Sequence, residues 1–327
     1  MKFSLLLRLS FLIGMLWSLG ACYTQGPPTP IVSPTVATPV RNNTEMAASI
    51  STMTLSQQEL TPVPVKPSAS AAETLEQALE TPMPPSEALT ITILYDNNPY
   101  DEKLKSAWGF SALVEYRDAV LLFDTGGDGP TLMANMRTSG IEPTRIEHVL
   151  LSHAHTDHTG GLSALLEAGA RPTVYLLPSF PAAFKRQVEQ FTTVVEVSPG
   201  QSIAAGLFTT GEMGRDIPEQ ALVIRTESGL VIVTGCAHPG IVEIVAQARE
   251  LFAEPVRLVL GGFHLGSKSE AEIASILKEF RSLGVAQVAP CHCTGARAIA
   301  MFAAEYGEDF IQAGVGSVIR LDAITPK

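Results

Sequence analysis

His153-Ala154-His155-Thr156-Asp157-His158 places three imidazoles and a carboxylate within six residues. The stretch follows an apolar run, His148 to Leu151, that reads as a strand, and precedes a helical pattern from Gly161 to Ala168. In an extended segment His153 and His155, two apart, project the same way. Asp157 and His158 follow in the turn and, being adjacent, do not easily close on the ion held by that first pair, so a second ion nearby is natural. Imidazole and carboxylate donors suit zinc and its neighbours. The alternative is a chance histidine-rich turn. Only seven histidines exist in the chain, and four of them lie between His148 and His158. Such groups clustered at a strand end need a compensating partner. His148, which opens the strand, reads as structural or surface.

Working outward, the folded part begins near Leu89, with strands at Thr90 to Tyr95, Ser111 to Tyr116 and Val120 to Phe123. A helix from Pro130 to about Thr138 has proline in its first turn. Beyond the motif come a strand at Thr173 to Leu177, a helix at Pro181 to Phe191 and shorter strands within Thr193 to Phe208. Leu222 to Arg225 and Leu230 to Thr234 form a hairpin across Glu227-Ser228-Gly229. Helices at Ile241 to Phe252, Glu270 to Leu283 and Ala296 to Tyr306 then alternate with strands at Val256 to Leu260, Val288-Ala289 and Val315 to Leu321. Mostly antiparallel strands followed by strand–helix alternation predict one layered α+β or α/β domain over 89–327.

The motif, together with Leu122-Phe123-Asp124-Thr125-Gly126 at an earlier strand end, resembles the metallo-β-lactamase superfamily over essentially the whole span from Thr90 to Arg320. Gly211-Glu212-Met213-Gly214-Arg215, Thr234-Gly235-Cys236-Ala237-His238-Pro239-Gly240-Ile241, Gly261-Gly262-Phe263-His264-Leu265 and Pro290-Cys291-His292-Cys293-Thr294-Gly295 resemble its branch of dihydropterin-ribofuranosylaminobenzene phosphate synthase-like proteins. The resemblance implies an αββα sandwich: two β-sheets with helices on both outer faces. It also implies that His153 and His155 bind one metal and Asp157 and His158 the other, with a bridging water or hydroxide as the attacking group.

One departure from the family is plain: no histidine occurs from Thr159 to Ala237, where most superfamily hydrolases have a third. Cys236 stands where a bridging aspartate usually sits. The expected completion is His238 at the first ion and His292 at the second. Cys236 is then a soft ligand, a bridge or a buried thiol, and His264 is a catalytic, substrate-facing or ligand-supporting group, with Asp157 also in a catalytic role. The expected cofactors are two divalent ions, zinc first, with manganese or iron as alternatives. Asp124 is expected to order the metal loops by hydrogen bonds. An Asp-Thr-Gly also marks aspartic proteases, but those need two such carboxylates sharing a proton, and no second one occurs. Arg215 reads as a surface arginine or a phosphate contact.

The N-terminus has a different character. Lys2 and Arg8 precede an apolar stretch reaching Leu19, and Leu19-Gly20-Ala21-Cys22 resembles a bacterial lipobox. Residues 1–21 are expected to be a signal peptide and Cys22 a lipidated anchor; an ordinary cleaved signal or an uncleaved helix would export the chain equally. From 22 to 88 the chain reads as a flexible linker. Eleven of its 23 prolines fall there, among Thr, Ser and Ala, leaving too little apolar surface to offset ordering entropy. Without Cys22, three cysteines remain, Cys236, Cys291 and Cys293, which make no disulfide framework. Thiols near a metal or simply buried are the better readings.

The formal net charge of −11 argues against nucleic acid as a partner. It allows a small anionic substrate if a bound cation dominates the local field. The expected function is a hydrolase using metal-bound hydroxide on a small ester, phosphoester or lactone-like substrate. The alternatives are a pterin-type synthase on the same fold or a tethered metal- or ligand-binding surface protein without catalysis. Nothing in the sequence sets the oligomeric state.

Overall fold

Apolar residues alternate or run unbroken through short β-branched segments, and these become thirteen strands in the computed structural model, which describes residues 88–321. The signal-peptide and lipid-anchor reading of 1–22 and the linker reading of 22–88 lie outside the described residues except for Ala88. Among the described residues no helix is long and apolar enough to cross a membrane.

In chain order the elements are β1 (Leu89–Tyr95), β2 (Ser111–Tyr116), β3 (Ala119–Phe123), α1 (Gly129–Thr138), β4 (His148–Leu150), α2 (Thr156–Thr159), α3 (Leu162–Glu167), β5 (Thr173–Leu176), α4 (Ala182–Glu189), β6 (Val194–Glu196), β7 (Ser202–Ala204) and β8 (Leu207–Thr209). There follow β9 (Leu222–Thr226), β10 (Gly229–Thr234), α5 (Ile241–Phe252), β11 (Val256–Gly262), α6 (Glu270–Ser282), β12 (Gln287–Cys291), α7 (Ala296–Tyr306) and β13 (Val318–Leu321). The first sheet runs β13-β1-β2-β3-β4-β5-β6 and the second β12-β11-β10-β9-β8-β7.

Each sheet begins as an antiparallel meander and continues with parallel strands. In the first, β3 pairs parallel with β4, β4 with β5 and β5 with β6. In the second, β10 pairs parallel with β11 and β11 with β12. The expected order, antiparallel first and alternating later, therefore occurs twice, once in each half of the chain.

The period of two decides which face of each strand meets which layer. Leu222, Ile224, Val231 and Val233 pack with β1 to β5 in the core between the sheets. Their neighbours Val223, Leu230 and Ile232 face outward, where Ile244 and Val245 of α5, Phe280 of α6 and Phe302 of α7 cover them. A strand buried on both faces loses its polar alternation, and β10 reads as a nearly continuous apolar run for that reason. On the other side, Leu132 and Met136 of α1 and Leu165 and Leu166 of α3 pack on the first sheet. The result is the αββα layering that the motif resemblance implied.

Capping fixes the ends of the helices. Asp128 accepts a hydrogen bond from Thr131 N at 2.7 Å to start α1, and Ser269 with Glu272 forms a reciprocal capping box on α6. Several boundaries shift by one or two residues from expectation, and two differences go further. β13 starts at Val318 rather than Val315, because Gly314 and Ser317 close a turn on each other. Asp157 and His158 lie on the one-turn helix α2 rather than in an open turn.

Candidate metal centre

Parallel strands deliver their C-terminal ends to one edge of a sheet. β3 and β4 end in Asp124 and in the His153–His158 segment; β10, β11 and β12 end in the loops carrying Cys236–His238, His264 and His292–Cys293. The two edges meet: Cys236 Sγ lies 3.2 Å from His158 Nε2 across 78 residues of sequence.

At this edge each buried imidazole is anchored by one ring nitrogen. His158 Nδ1 is 2.7 Å from the Asp124 carboxylate. His153 Nδ1 is 2.9 Å from Ser152 Oγ, which itself donates to Asp124 at 2.7 Å. His292 Nδ1 is 2.8 Å from Asn97 Oδ1. With Asp124 and Asn97 accepting, the proton sits on Nδ1 and each Nε2 lone pair is left to face its neighbours. His238 Nε2 and His292 Nε2 are buried with no hydrogen-bond partner. An uncompensated buried nitrogen costs about 1–3 kcal/mol, which a cation would offset.

Donor atoms converge in sets whose members lie within 4.8 Å of one another: Asp157, His158, Cys236 and His292; His153, Cys236 and His238; and Cys236, His264 and Cys293. Asp157 Oδ2 is 3.6 Å from His158 Nε2 and 3.6 Å from His292 Nε2. These residues fit a divalent ion: bare nitrogens, a carboxylate and a thiol share a small volume, and His158 and His153 fall in different sets. Cys236 belongs to all three sets. His155 is exposed and joins none, although its Nδ1 is 3.0 Å from His153 Nε2. His264 is exposed at the rim, its ring centroid 4.4 Å from that of His238. It borders a cleft of about 360 Å³ lined by His238, Pro239, Glu243, Phe263 and Lys268. Arg215 is exposed.

Electrostatics favour the neutral form of three imidazoles, His153, His238 and His292. Burial, then neighbouring imidazoles, push His292 down to about 2 and His238 down to about 4, and His153 lower still. His158 moves the other way: burial opposes its charge, but the Asp124 carboxylate more than offsets this and raises it. A hydrogen bond with Cys236 brings the Cys293 thiol down to about 6, while that same bond and burial push the Cys236 thiol up.

Several supporting residues escaped the sequence reading. Glu219, fully buried, accepts from the backbone N–H of Cys236 at 2.8 Å, of Ala237 at 2.9 Å and of His238 at 2.9 Å. It therefore shapes the loop that carries two donors, and burial raises it to about 7. Its only sequence signal was an acid three residues before an apolar strand. Asp96 accepts from His292 N at 3.1 Å, and burial raises it to about 6. The cysteine question divides: Cys291 is a buried core thiol, whereas Cys293 meets Cys236 and His264.

Backbone strain collects in the same place. Among the described residues six non-glycines have positive φ, and four of them, Asp124, Ala237, His264 and His292, sit in these loops. Strain of this kind persists only where the surroundings over-determine it, and it gathers at functional sites.

Known proteins resemble this chain in sequence and in fold. The model of the metallo-β-lactamase superfamily matches residues 109–242. A relative from Methanocaldococcus jannaschii, named 7,8-dihydropterin-6-methyl-4-(β-D-ribofuranosyl)-aminobenzene-5'-phosphate synthase, is 31% identical over 280 residues, covering 70% of this chain and 95% of the relative. This chain belongs to the metallo-β-lactamase superfamily. Among solved structures, Tm1679, described as a metal-dependent hydrolase of the β-lactamase superfamily, matches with 31% identity and a TM-score of 0.61 over 72% of this chain and 99% of that one. The metallo-β-lactamase fold protein YhfI of Bacillus subtilis, at 16% identity and a TM-score of 0.55 over 72% and 99%, shares the fold. As a member of the metallo-β-lactamase superfamily the chain is an enzyme with a metal-dependent, hydrolase-like fold, and the reading of a non-catalytic surface protein is set aside.

Proposed function

We propose that the chain is a hydrolase of a small ester, phosphoester or lactone-like substrate, holding two divalent ions. His153 and His238 would hold one ion, with His155 turning in from the rim; Asp157, His158 and His292 would hold the other; Cys236 lies between them. The observation that carries this reading is the anchoring of His153, His158 and His292 by one nitrogen each while the other faces the shared volume. Bound there, the ions would acidify a water and polarise the bond under attack. Asp157 would accept a proton at Oδ2. His264, exposed across the rim beside Lys268, would face the leaving side of a substrate seated in the cleft. A soft thiol at the shared position favours zinc over manganese.

The direct test is the content of Zn, Mn and Fe in natively purified protein, with turnover of a chromogenic panel of esters, phosphoesters and lactones. About two ions per chain are expected, with turnover lost on chelation and restored by metal. A native protein without metal, inactive after reconstitution, would sink the proposal.

The second reading, a pterin-type synthase, is favoured by the name of the M. jannaschii relative. Formation of a coupled dihydropterin–aminobenzene product by the purified chain would select it. The N-terminal lipobox weighs against it, since pterin substrates are expected in the cytoplasm. We further propose that Cys22 anchors the exported chain to a membrane. Loss of membrane association in Cys22→Ser would support that, and unchanged fractionation would refute it.

A further inference from the structure

The loop between β1 and β2, from Asp96 to Phe110, forms one lip of the metal centre, and it is fastened along its length. Asn135 of α1 accepts from Lys105 N at 2.8 Å and donates to Lys105 O at 2.8 Å. Ala107 N donates to Asp96 O at 3.1 Å, and Phe110 N donates to Asp157 O at 3.2 Å. A Cβ on Gly127 would meet Trp108 O at 2.6 Å, so the backbone at Trp108 lies directly on the loop that follows Asp124.

The Trp108 side chain nevertheless stays out of the core. It is 61% exposed, more than any other large apolar residue described. Its ring centroid is 5.1 Å from that of His292, with the planes inclined at 51°. A well-tethered backbone thus holds a broad aromatic face in water beside an imidazole that points at the proposed ions. Across the centre, His238 and His264 open on the polar cleft of about 360 Å³.

We propose that Trp108 is a binding subsite for a planar aromatic group of the substrate, its reacting end lying against Asp157 and His292 and its remainder reaching the His238–His264 cleft. This rests on the metal-centre reading given above. An indole gains from offset or edge-on contact with another ring beyond what burial alone gives, in the range of about three- to tenfold in affinity.

The chain has two tryptophans, Trp17 and Trp108, so full-length Trp17→Phe makes Trp108 the sole reporter. Metal-reconstituted protein is titrated with phenyl phosphate and with cyclohexyl phosphate, which share a headgroup and approximate size but differ in planarity. Phenyl phosphate is expected to change Trp108 emission and to bind about three- to tenfold more tightly. In calorimetry, Trp108→Leu should lose that preference while keeping its metal content. Equal affinity for the two probes, binding of neither, or a preference that survives in Trp108→Leu overturns the subsite. Metal content measured on the same sample separates the two proposals. A chain that holds no divalent ion overturns the metal centre and this subsite with it. A loaded chain indifferent to the ring overturns the subsite alone.

Discussion

Asp124→Asn tests the logic of the metal centre most sharply. Oδ1 accepts from Ser152 N at 2.7 Å, while Oδ2 faces both Ser152 Oγ and His158 Nδ1 at 2.7 Å each. Asparagine has one acceptor and one donor, so one of these contacts becomes donor against donor in either amide orientation. If the NH₂ takes the Oδ2 place, His158 and, through Ser152, His153 are driven to carry their protons on Nε2, the nitrogen each needs for a metal. Orienting partners of this kind are worth about 10–100-fold in metal affinity, or about 1.4–2.8 kcal/mol. Because His153 and His158 lie in different donor sets, both ions should weaken. A buried unpaired donor should also lower folding stability by about 1–3 kcal/mol. Ser152→Ala interrupts only the His153 branch and should weaken one ion. Competition against a chromogenic chelator gives the affinities, and thermal melts give the stability. Two ions bound by Asp124→Asn as tightly as by the unaltered chain would refute the tautomer argument.

Other perturbations discriminate further. Glu219→Gln keeps an acceptor but removes a titration: burial raises Glu219 from 4.5 to about 7, so the folded chain holds a proton that the unfolded chain has lost. The stability of the unaltered protein relative to Glu219→Gln should fall by about 3 kcal/mol between pH 4.5 and 7 and stay flat above that; parallel denaturation curves across that window would exclude it. Gly235→Ala would place a Cβ 2.2 Å from Ser152 Oγ and 2.9 Å from Asp124 Oδ2. Overpacking of about 1–3 kcal/mol and reduced metal retention are expected, and wild-type melting with full metal content would contradict this. Cys236→Ser should lose both ions on dialysis and the thiolate charge-transfer band of the cobalt form, whereas Cys293→Ser should keep both ions; equal metal loss in the two variants would give the two thiols equal shares and refute the central place of Cys236.

Legibility in the sequence followed locality. As candidate donors His153, Asp157 and His158 stand out because they lie within six residues, and His238 and His292 because each follows an apolar strand closely, whereas His155, equally prominent in the sequence, joins no donor set. A layered α+β or α/β domain was readable from the order of the elements, whereas the two-sheet αββα arrangement came from the motif resemblance, because strands buried on both faces, such as β10, keep no alternation to show which layer they meet. What escaped was whatever depends on distant partners. Glu219 looks like any surface acid until the three N–H groups 17 to 19 residues later converge on it. Asn97 holds a histidine 195 positions away. The split between Cys291 and Cys293 depends on where β12 ends, because the last strand residue turns into the core while the following 3-10 turn carries Cys293 to the edge. Turn boundaries of that precision are the least readable part of a sequence.

The arrangement also explains why so much support surrounds so few donors. Positive φ at Asp124, Ala237, His264 and His292 costs about 1–2 kcal/mol per residue, and total stability in proteins of this kind is about 5–15 kcal/mol. Loops alone would relax. Here each strained residue directly follows, or lies within a few positions of, a strand buried on both faces, and each is tied from another part of the chain: Asp124 by β4 through Leu150 O, Ala237 by Glu219, His292 by Asp96. Phe263, next to His264, donates its N–H to Thr294 Oγ1 at 3.0 Å. The ties cross from loop to loop, so no one loop can relax without disturbing its neighbour. That interdependence predetermines the positions of the candidate donors contributed by four separate strand ends, and it puts the distant acids and amides among the residues whose substitution should displace those donors.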